Sequence, residues 1–311
     1  MAKILCTGAG GFIGSTLTRV LLEAGHEVTA IDHFGHKQPS LLDCCKYKGF
    51  EVVRGDVRDE SLMARLIKGK DFIIPLAGLV SAPSCAKDPI AAKTTNLDAI
   101  KLIIKLREKG QKIIFPNTNS GYGVGEKDIY CTEDTPIRPI SLYGETKAEA
   151  ERALLEAGDV VVFRLATVFG ISPRMRIDLL VNDFVYRAVN DRFMVLFESH
   201  FKRNYVHVRD VARAFVFAID NFEKLKNQAY NVGLSNVNLS KRELCEEIKK
   251  QLPDFYFVDA EIGKDPDQRN YIVSNEKIEK AGFSTEVSLQ EGIEELIKGY
   301  QILKKDNYAN N

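Results

Sequence analysis

The chain has 311 residues, 45% hydrophobic and 28% charged, an apolar share that supports one large core or two unequal ones and excludes a disordered chain. Its 43 basic residues balance 43 acidic ones, so nucleic acid and anionic membrane surfaces find no electrostatic footprint. The longest apolar stretch, residues 72–83, is interrupted by proline and glycine and is shorter than the roughly 18 residues of a membrane span.

In chain order, Met1-Ala2-Lys3 runs straight into Ile4-Leu5-Cys6 with no apolar leader or cleavage site, so a cytoplasmic protein is expected. Cys6, Cys44, Cys45, Cys85, Cys131 and Cys245 show no CxxC or metal-ligand spacing; the expectation is reduced thiols and no structural metal. Short apolar runs predict strands at 4–7, 27–31, 51–54, 71–76, 112–116 and 160–165, and helical spacing predicts helices at 11–23 and 143–155. This alternation implies right-handed βαβ units. After Gly170 helices dominate, at about 177–189, 208–221, 241–250 and 289–304, with a strand-like piece at 255–258. The expected fold is α/β: a Rossmann-type doubly wound parallel sheet over 1–170 and a smaller C-terminal α/β substrate lobe over 171–311, with some elements exchanged between them. The lobe should pack on the carboxyl edge of the sheet, where open α/β sheets bind ligands.

Directly after the first strand comes Thr7-Gly8-Ala9-Gly10-Gly11-Phe12-Ile13-Gly14. Gly8 permits a tight turn, Gly11 lets backbone approach a pyrophosphate, Gly14 lets helix pack on strand, and the helix N-terminus supplies N–H groups. The second strand ends at Asp32, 24 residues after Gly8, where a carboxylate accepts from a ribose and repels an added phosphate; NAD rather than NADP is expected, against the alternative of a surface acid. Gly55-Asp56-Val57 and Leu76-Ala77-Gly78 follow the third and fourth strands, beside the expected crevice, with Asp56 either on the adenine amino group or a solvated loop acid. Tyr143 and Lys147 share one helix face, so the ammonium is expected to lower the phenol from about 10 towards neutrality and to hold the nicotinamide ribose. Thr118, after the fifth strand, is placed to bond the hydroxyl or carbonyl being interconverted.

With these residues in place the chain resembles the extended short-chain dehydrogenase/reductase family, the nucleotide-sugar epimerases and dehydratases, essentially end to end. The resemblance rests on residues 7–14, Asp32, Asp56-Val57, Asn96, Thr118 with Tyr122-Gly123, 143–147, Arg164 with Phe169-Gly170, 203–211 and 230–233. It implies Tyr143 as proton-transfer catalyst, Lys147 as its activator and Thr118 as the substrate hydroxyl's partner. It also implies tightly bound NAD(H), Asn96 among the cofactor contacts, and a homodimer paired through two helices including the one that bears Tyr143. Asn182, Arg203 and Arg269 stand where diphosphate contacts fall; Thr167 replaces an Asn often found at such a contact. His207 reads as a packed residue.

Family dehydratases resemble one another in an Asp-Glu pair after the Thr, whereas this chain has Asn119 and Ser120, neither suited to acid-base work near neutral pH. Water loss and decarboxylation are therefore disfavoured. Residues 116–123 and 163–176 resemble GDP-heptose 4-dehydrogenases of bacterial capsule pathways, which favours a GDP-sugar and release of a 4-keto product. A 4-epimerase is the alternative, and a non-catalytic NAD-binding scaffold the reading from another class.

Overall fold

The apolar runs of the first half become strands. In the computed structural model, which describes residues 1–126, 128–260 and 269–303, they are β1 (Lys3–Thr7), β2 (Glu27–Asp32), β3 (Phe50–Arg54), β4 (Phe72–Pro75) and β5 (Lys112–Thr118), followed by Val160–Leu165. Among the described residues they form a seven-stranded sheet in the order Gln228–Val232, Val160–Leu165, β5, β4, β1, β2, β3, every neighbouring pair parallel. Ile4, Leu5 and Cys6 on β1 have no exposure, as expected of a central parallel strand covered on both faces. The order in which strands are added reverses at β1, which pairs in parallel with β2 on one side and β4 on the other; the crevice outside such a switch point is where ligands bind.

One face of the sheet is covered by α1 (Phe12–Glu23) and the helix Val208–Asp220, whose Leu17, Leu21, Ala212 and Phe215 join one core cluster. Met63, Ile100 and Leu154 cover the other. Strand Gln228–Val232 and helix Val208–Asp220, both from beyond residue 170, thus complete the sheet of the first half. The remaining C-terminal helices close a second cluster around Phe169, Val181, Tyr205, Leu244 and Ile293. Helices Lys241–Gln251 and Leu289–Gly299 each start with a capping box, Ser240 with Glu243 and Ser288 with Glu291, satisfying two orphan N–H groups apiece.

Two expected helices are shorter than their apolar periodicity. The one predicted over 177–189 is Leu180–Asn190; residues 177–178 form a turn instead, and Asn182 ties the backbone of Gly170 and Arg176 to the start of the helix. The one predicted to residue 304 stops at Gly299, and Lys304 lies outside the described residues. Strands Lys202–His207 and Gln228–Val232 carry no apolar run long enough to predict them. No described helix is long and apolar enough to cross a membrane.

Candidate active site

The glycine turn closes on the neighbouring strand. Gly8 has φ +66°, and a Cβ there would lie 2.6 Å from the Ala77 nitrogen; one on Gly14 would lie 2.3 Å from the Gly8 oxygen. A side chain at either position would break the turn. Gly11 is the N-cap of α1, and among the described residues no side chain caps this helix, which leaves its first-turn N–H groups, at Phe12, Ile13 and Gly14, for an anion. The Asp32 side chain, 10% exposed, accepts from the Gly10 N–H at 3.0 Å and the Phe34 N–H at 2.7 Å, and lone pairs remain for ligand hydroxyls. Leu76 N donates to the Thr7 carbonyl at 3.0 Å and Ala77 N to Thr7 Oγ1 at 3.2 Å, fixing the end of β4 across the switch point. Val57 is buried in the sheet core. A dinucleotide fits this cradle: small residues where backbone must approach phosphate, a free helix start, and a carboxylate at the end of β2.

Two expected cofactor contacts, Asp56 and Asn96, have partners within the chain. Asp56 is gripped by Arg58, with Nη2 at 2.6 Å and Nε at 2.9 Å, and that guanidinium holds its carboxyl below the usual range. Buried Asn96 accepts from Leu79 N at 2.8 Å and donates to the Leu79 carbonyl at 3.0 Å. A Cβ on Gly78 would come within 3.0 Å of its Oδ1. Asn96 therefore shapes the loop after β4 from behind.

The helix Leu142–Ala157 starts where Ser141 Oγ accepts from the Gly144 N–H at 3.2 Å. Four-residue spacing stacks Tyr143, Lys147 and Glu151 along one face. Glu151 forms a buried pair with Arg164 at 2.6 Å and accepts from Asn117 Nδ2. Arg164 also donates to the Tyr122 hydroxyl at 3.0 Å, which donates to Asn231 at 2.8 Å. Lys147 Nζ donates to the Pro116 carbonyl at 2.5 Å and lies 3.8 Å from the centre of the Phe115 ring. Burial pushes Lys147 down to about 7, against the opposing charge of Glu151. Burial pushes Tyr143 up to about 12, opposed most by Arg269 and then by Arg176. Burial moves the two groups in opposite directions, and the cations weighing most on the phenol are Arg269 and Arg176.

Thr118 ends β5 and caps the turn Asn119–Tyr122, its Oγ1 accepting from Ser120 N at 3.1 Å and lying 2.9 Å from Ser120 Oγ. Arg269 Nη1 donates to Ser120 Oγ. Arg269, expected at the diphosphate, thus reaches the turn that follows Thr118. The Asn119 amide is 1% exposed, and neither of its polar atoms has a partner among the described residues.

Asn182, expected at the diphosphate, binds backbone within the chain. Its Oδ1 accepts from Gly170 N at 3.0 Å and its Nδ2 donates to the carbonyls of Arg176 and Gly170 at 2.8 and 3.2 Å, so every group of this fully buried amide serves the segment 170–176. Arg203 is buried, donates to the Lys202 carbonyl at 2.8 Å and stands 5.5 Å from the Tyr271 ring centre. Thr167 opens the strand Thr167–Phe169, half-buried and opposite Tyr205. His207 accepts from Arg209 N at 3.2 Å and packs edge-on against Phe169.

Sequence reasoning missed two side chains. Arg174 and Arg176 stand on the segment latched by Asn182; Arg176 pairs with Asp178 at 2.5 Å and acts on Tyr143. Arg174, 1% exposed, is lowered to about 10 by burial and by Arg176, with Asp178 and Asp32 opposing. Two arginines so closely spaced just after a strand end were the available signal.

The sequence profile described as the NAD dependent epimerase/dehydratase family matches residues 4–233. A UDP-glucose 4-epimerase of Corynebacterium glutamicum is 27% identical over 271 residues, covering 79% of this chain and 80% of its own. The UDP-glucuronic acid decarboxylase 1 of Danio rerio is 26% identical, covering 99% and 75%. Among solved structures, the UDP-glucose 4-epimerase of Thermotoga maritima with UDP-glucose matches with a TM-score of 0.83 at 26% identity, over 96% of this chain and 98% of that one. A UDP-glucuronic acid 4-epimerase of Bacillus cereus in complex with UDP-glucuronic acid and NAD shares the fold, with a TM-score of 0.84 at 24% identity over 96% and 99%.

Proposed function

This chain is an enzyme of the NAD-dependent epimerase/dehydratase family, and from that premise we propose that it oxidises carbon 4 of a nucleotide diphosphate sugar and releases the 4-keto sugar. NAD, when bound, supplies the hydride acceptor. The glycine turn and α1 hold its pyrophosphate, Asp32 its adenosine ribose, and Lys147 the nicotinamide ribose. Tyr143, ionised to the phenolate beside the cationic Lys147 and Arg269, would take the proton of the 4-hydroxyl, and Thr118 would bond the oxygen becoming a carbonyl.

The observation that carries this reading is the pair Asn119 and Ser120 directly after Thr118, neither of them an acid or base near neutral pH. Proton removal from a ring carbon and protonation of a leaving hydroxyl both need a further acid or base. Chemistry at carbon 4 needs no proton acceptor besides Tyr143. The resemblance of 116–123 and 163–176 to GDP-heptose 4-dehydrogenases favours a GDP-heptose and a place in surface-polysaccharide synthesis. The UDP-glucose 4-epimerases among the relatives favour the second reading, in which the ketone turns within the site and recovers hydride on its other face.

Mass spectrometry of products from a panel of nucleotide sugars, with and without an external hydride acceptor such as a 2-keto acid, separates the two. Loss of two hydrogens, rising with the acceptor, is expected. An isobaric product with altered chromatographic retention supports the epimerase, and loss of water or carbon dioxide overturns both.

A further inference from the structure

Arg269 enters the site from the second half of the chain, yet its Nη1 donates to the hydroxyl of Ser120, two residues from the strand-end Thr118. We infer that Arg269 is a positioning residue for the oxidation itself: through Ser120 it holds Thr118 as a hydrogen-bond donor to the sugar oxygen at carbon 4. The inference deepens the proposed oxidation and rests on it.

Donor and acceptor bookkeeping carries the argument. A guanidinium has donors and no acceptor, so Ser120 Oγ accepts from Arg269. A hydroxyl that accepts from a cation becomes a stronger donor. Its neighbour at 2.9 Å is Thr118 Oγ1, and the Ser120 proton is thereby biased towards it. Thr118 Oγ1 already accepts from the Ser120 N–H at 3.1 Å. With both acceptor sites filled from Ser120, the remaining capacity of Thr118 is its own O–H, directed away from Ser120. Thr118 then donates to the oxygen at carbon 4 and cannot compete with Tyr143 for its proton. The positive end of the relay also favours the charge that builds on that oxygen as its proton leaves.

A diphosphate clamp and a relay differ in kinetics. Loss of a clamp weakens binding and raises KM, whereas loss of a group that acts only in the transition state lowers kcat. In the NAD-loaded enzyme, Arg269→Gln and Ser120→Ala are each expected to lower kcat by about threefold, less than removing the Thr118 donor itself, because Thr118 remains. KM should stay within about twofold. Since both variants cut one chain, the double variant should be no slower than the slower single one. Arg269 is the cation acting most strongly on Tyr143, beside Arg176, Cys85 and Tyr271. Arg269→Gln should therefore also move the limb on which rate rises with pH to higher pH, and Ser120→Ala should not.

Calorimetric binding of GDP and UDP to the same NAD-loaded proteins provides a readout without turnover, and affinity equal to wild type is expected in Arg269→Gln. Weaker nucleoside diphosphate binding in Arg269→Gln, a raised KM with kcat kept, wild-type kcat in Ser120→Ala, or multiplicative losses in the double variant each overturn the relay while leaving the proposed oxidation intact. A wild-type protein that turns over no nucleotide sugar overturns both.

Discussion

In the glycine turn the working atoms come from residues 7–14, with Asp32 closing the cradle through the Gly10 N–H. At the reacting end Thr118, Tyr143, Arg176 and Arg269 converge from separate stretches of chain. The first region depends on backbone shape, which glycine positions encode locally. The second depends on which cation meets which hydroxyl, and that is a product of packing. Substitutions in the turn should therefore act on cofactor affinity, and those at the reacting end on rate.

The sharpest test is Tyr143→Phe, which keeps ring volume and removes the proton acceptor. Turnover is expected to fall about 100- to 10,000-fold with NAD affinity retained, followed as NADH absorbance in single-turnover mixing; wild-type NAD reduction by this variant would sink the assignment. Next comes Glu151→Gln, which leaves Arg164 as a buried cation without its carboxylate. A loss of about 3–5 kcal/mol in unfolding free energy is expected, and denaturant titration checks it; a variant as stable as wild type would mean that the pair is not structural.

In the turn, Asp32→Ala should weaken NAD by on the order of 1.5–3 kcal/mol with the substrate-level rate at saturating NAD nearly kept. Titration settles it, and a wild-type preference for NADP would refute the reading of Asp32. Thr118→Val should cost less than Tyr143→Phe, roughly tenfold in turnover, since it removes a hydrogen bond and not the base; the reverse order in the same mixing experiment would exchange their roles.

The smallest expected effect is on stability against pH. Lys147 is lowered from 10.5 to about 7, so between these values the unfolded chain holds a proton that the folded one has released, and stability rises with pH. Tyr143, raised from 10.0 to about 12, acts with the opposite sign and only above about 10. Thermal unfolding across the Lys147 window should show a rise in wild type that Lys147→Met flattens; identical slopes would place Lys147 in water.

What the sequence determined by itself is whatever depends on neighbours along the chain. The apolar runs that became β1, β2, β4 and β5 are read from hydrophobic spacing alone, and the turn between β1 and α1 from its glycines, because Gly8 takes φ +66° at a point where a Cβ would lie 2.6 Å from the Ala77 nitrogen. Four-residue spacing likewise placed Tyr143 and Lys147 on one face of the helix Leu142–Ala157. The tertiary structure decided the rest. Strand Gln228–Val232 exists because the edge of Val160–Leu165 offers a backbone ladder to pair with, a partner invisible in its own residues. Asn96, Asn182 and Arg269 were recognisable as candidates, yet the first two bind backbone and the third binds Ser120. An amide or guanidinium has the same chemistry wherever it lands, and distant elements settle which group comes within hydrogen-bond reach. Burial depth, which drives Tyr143 up and Lys147 down, is equally a property of the assembled fold, since desolvation arises from everything packed around a group and not from its neighbours in sequence.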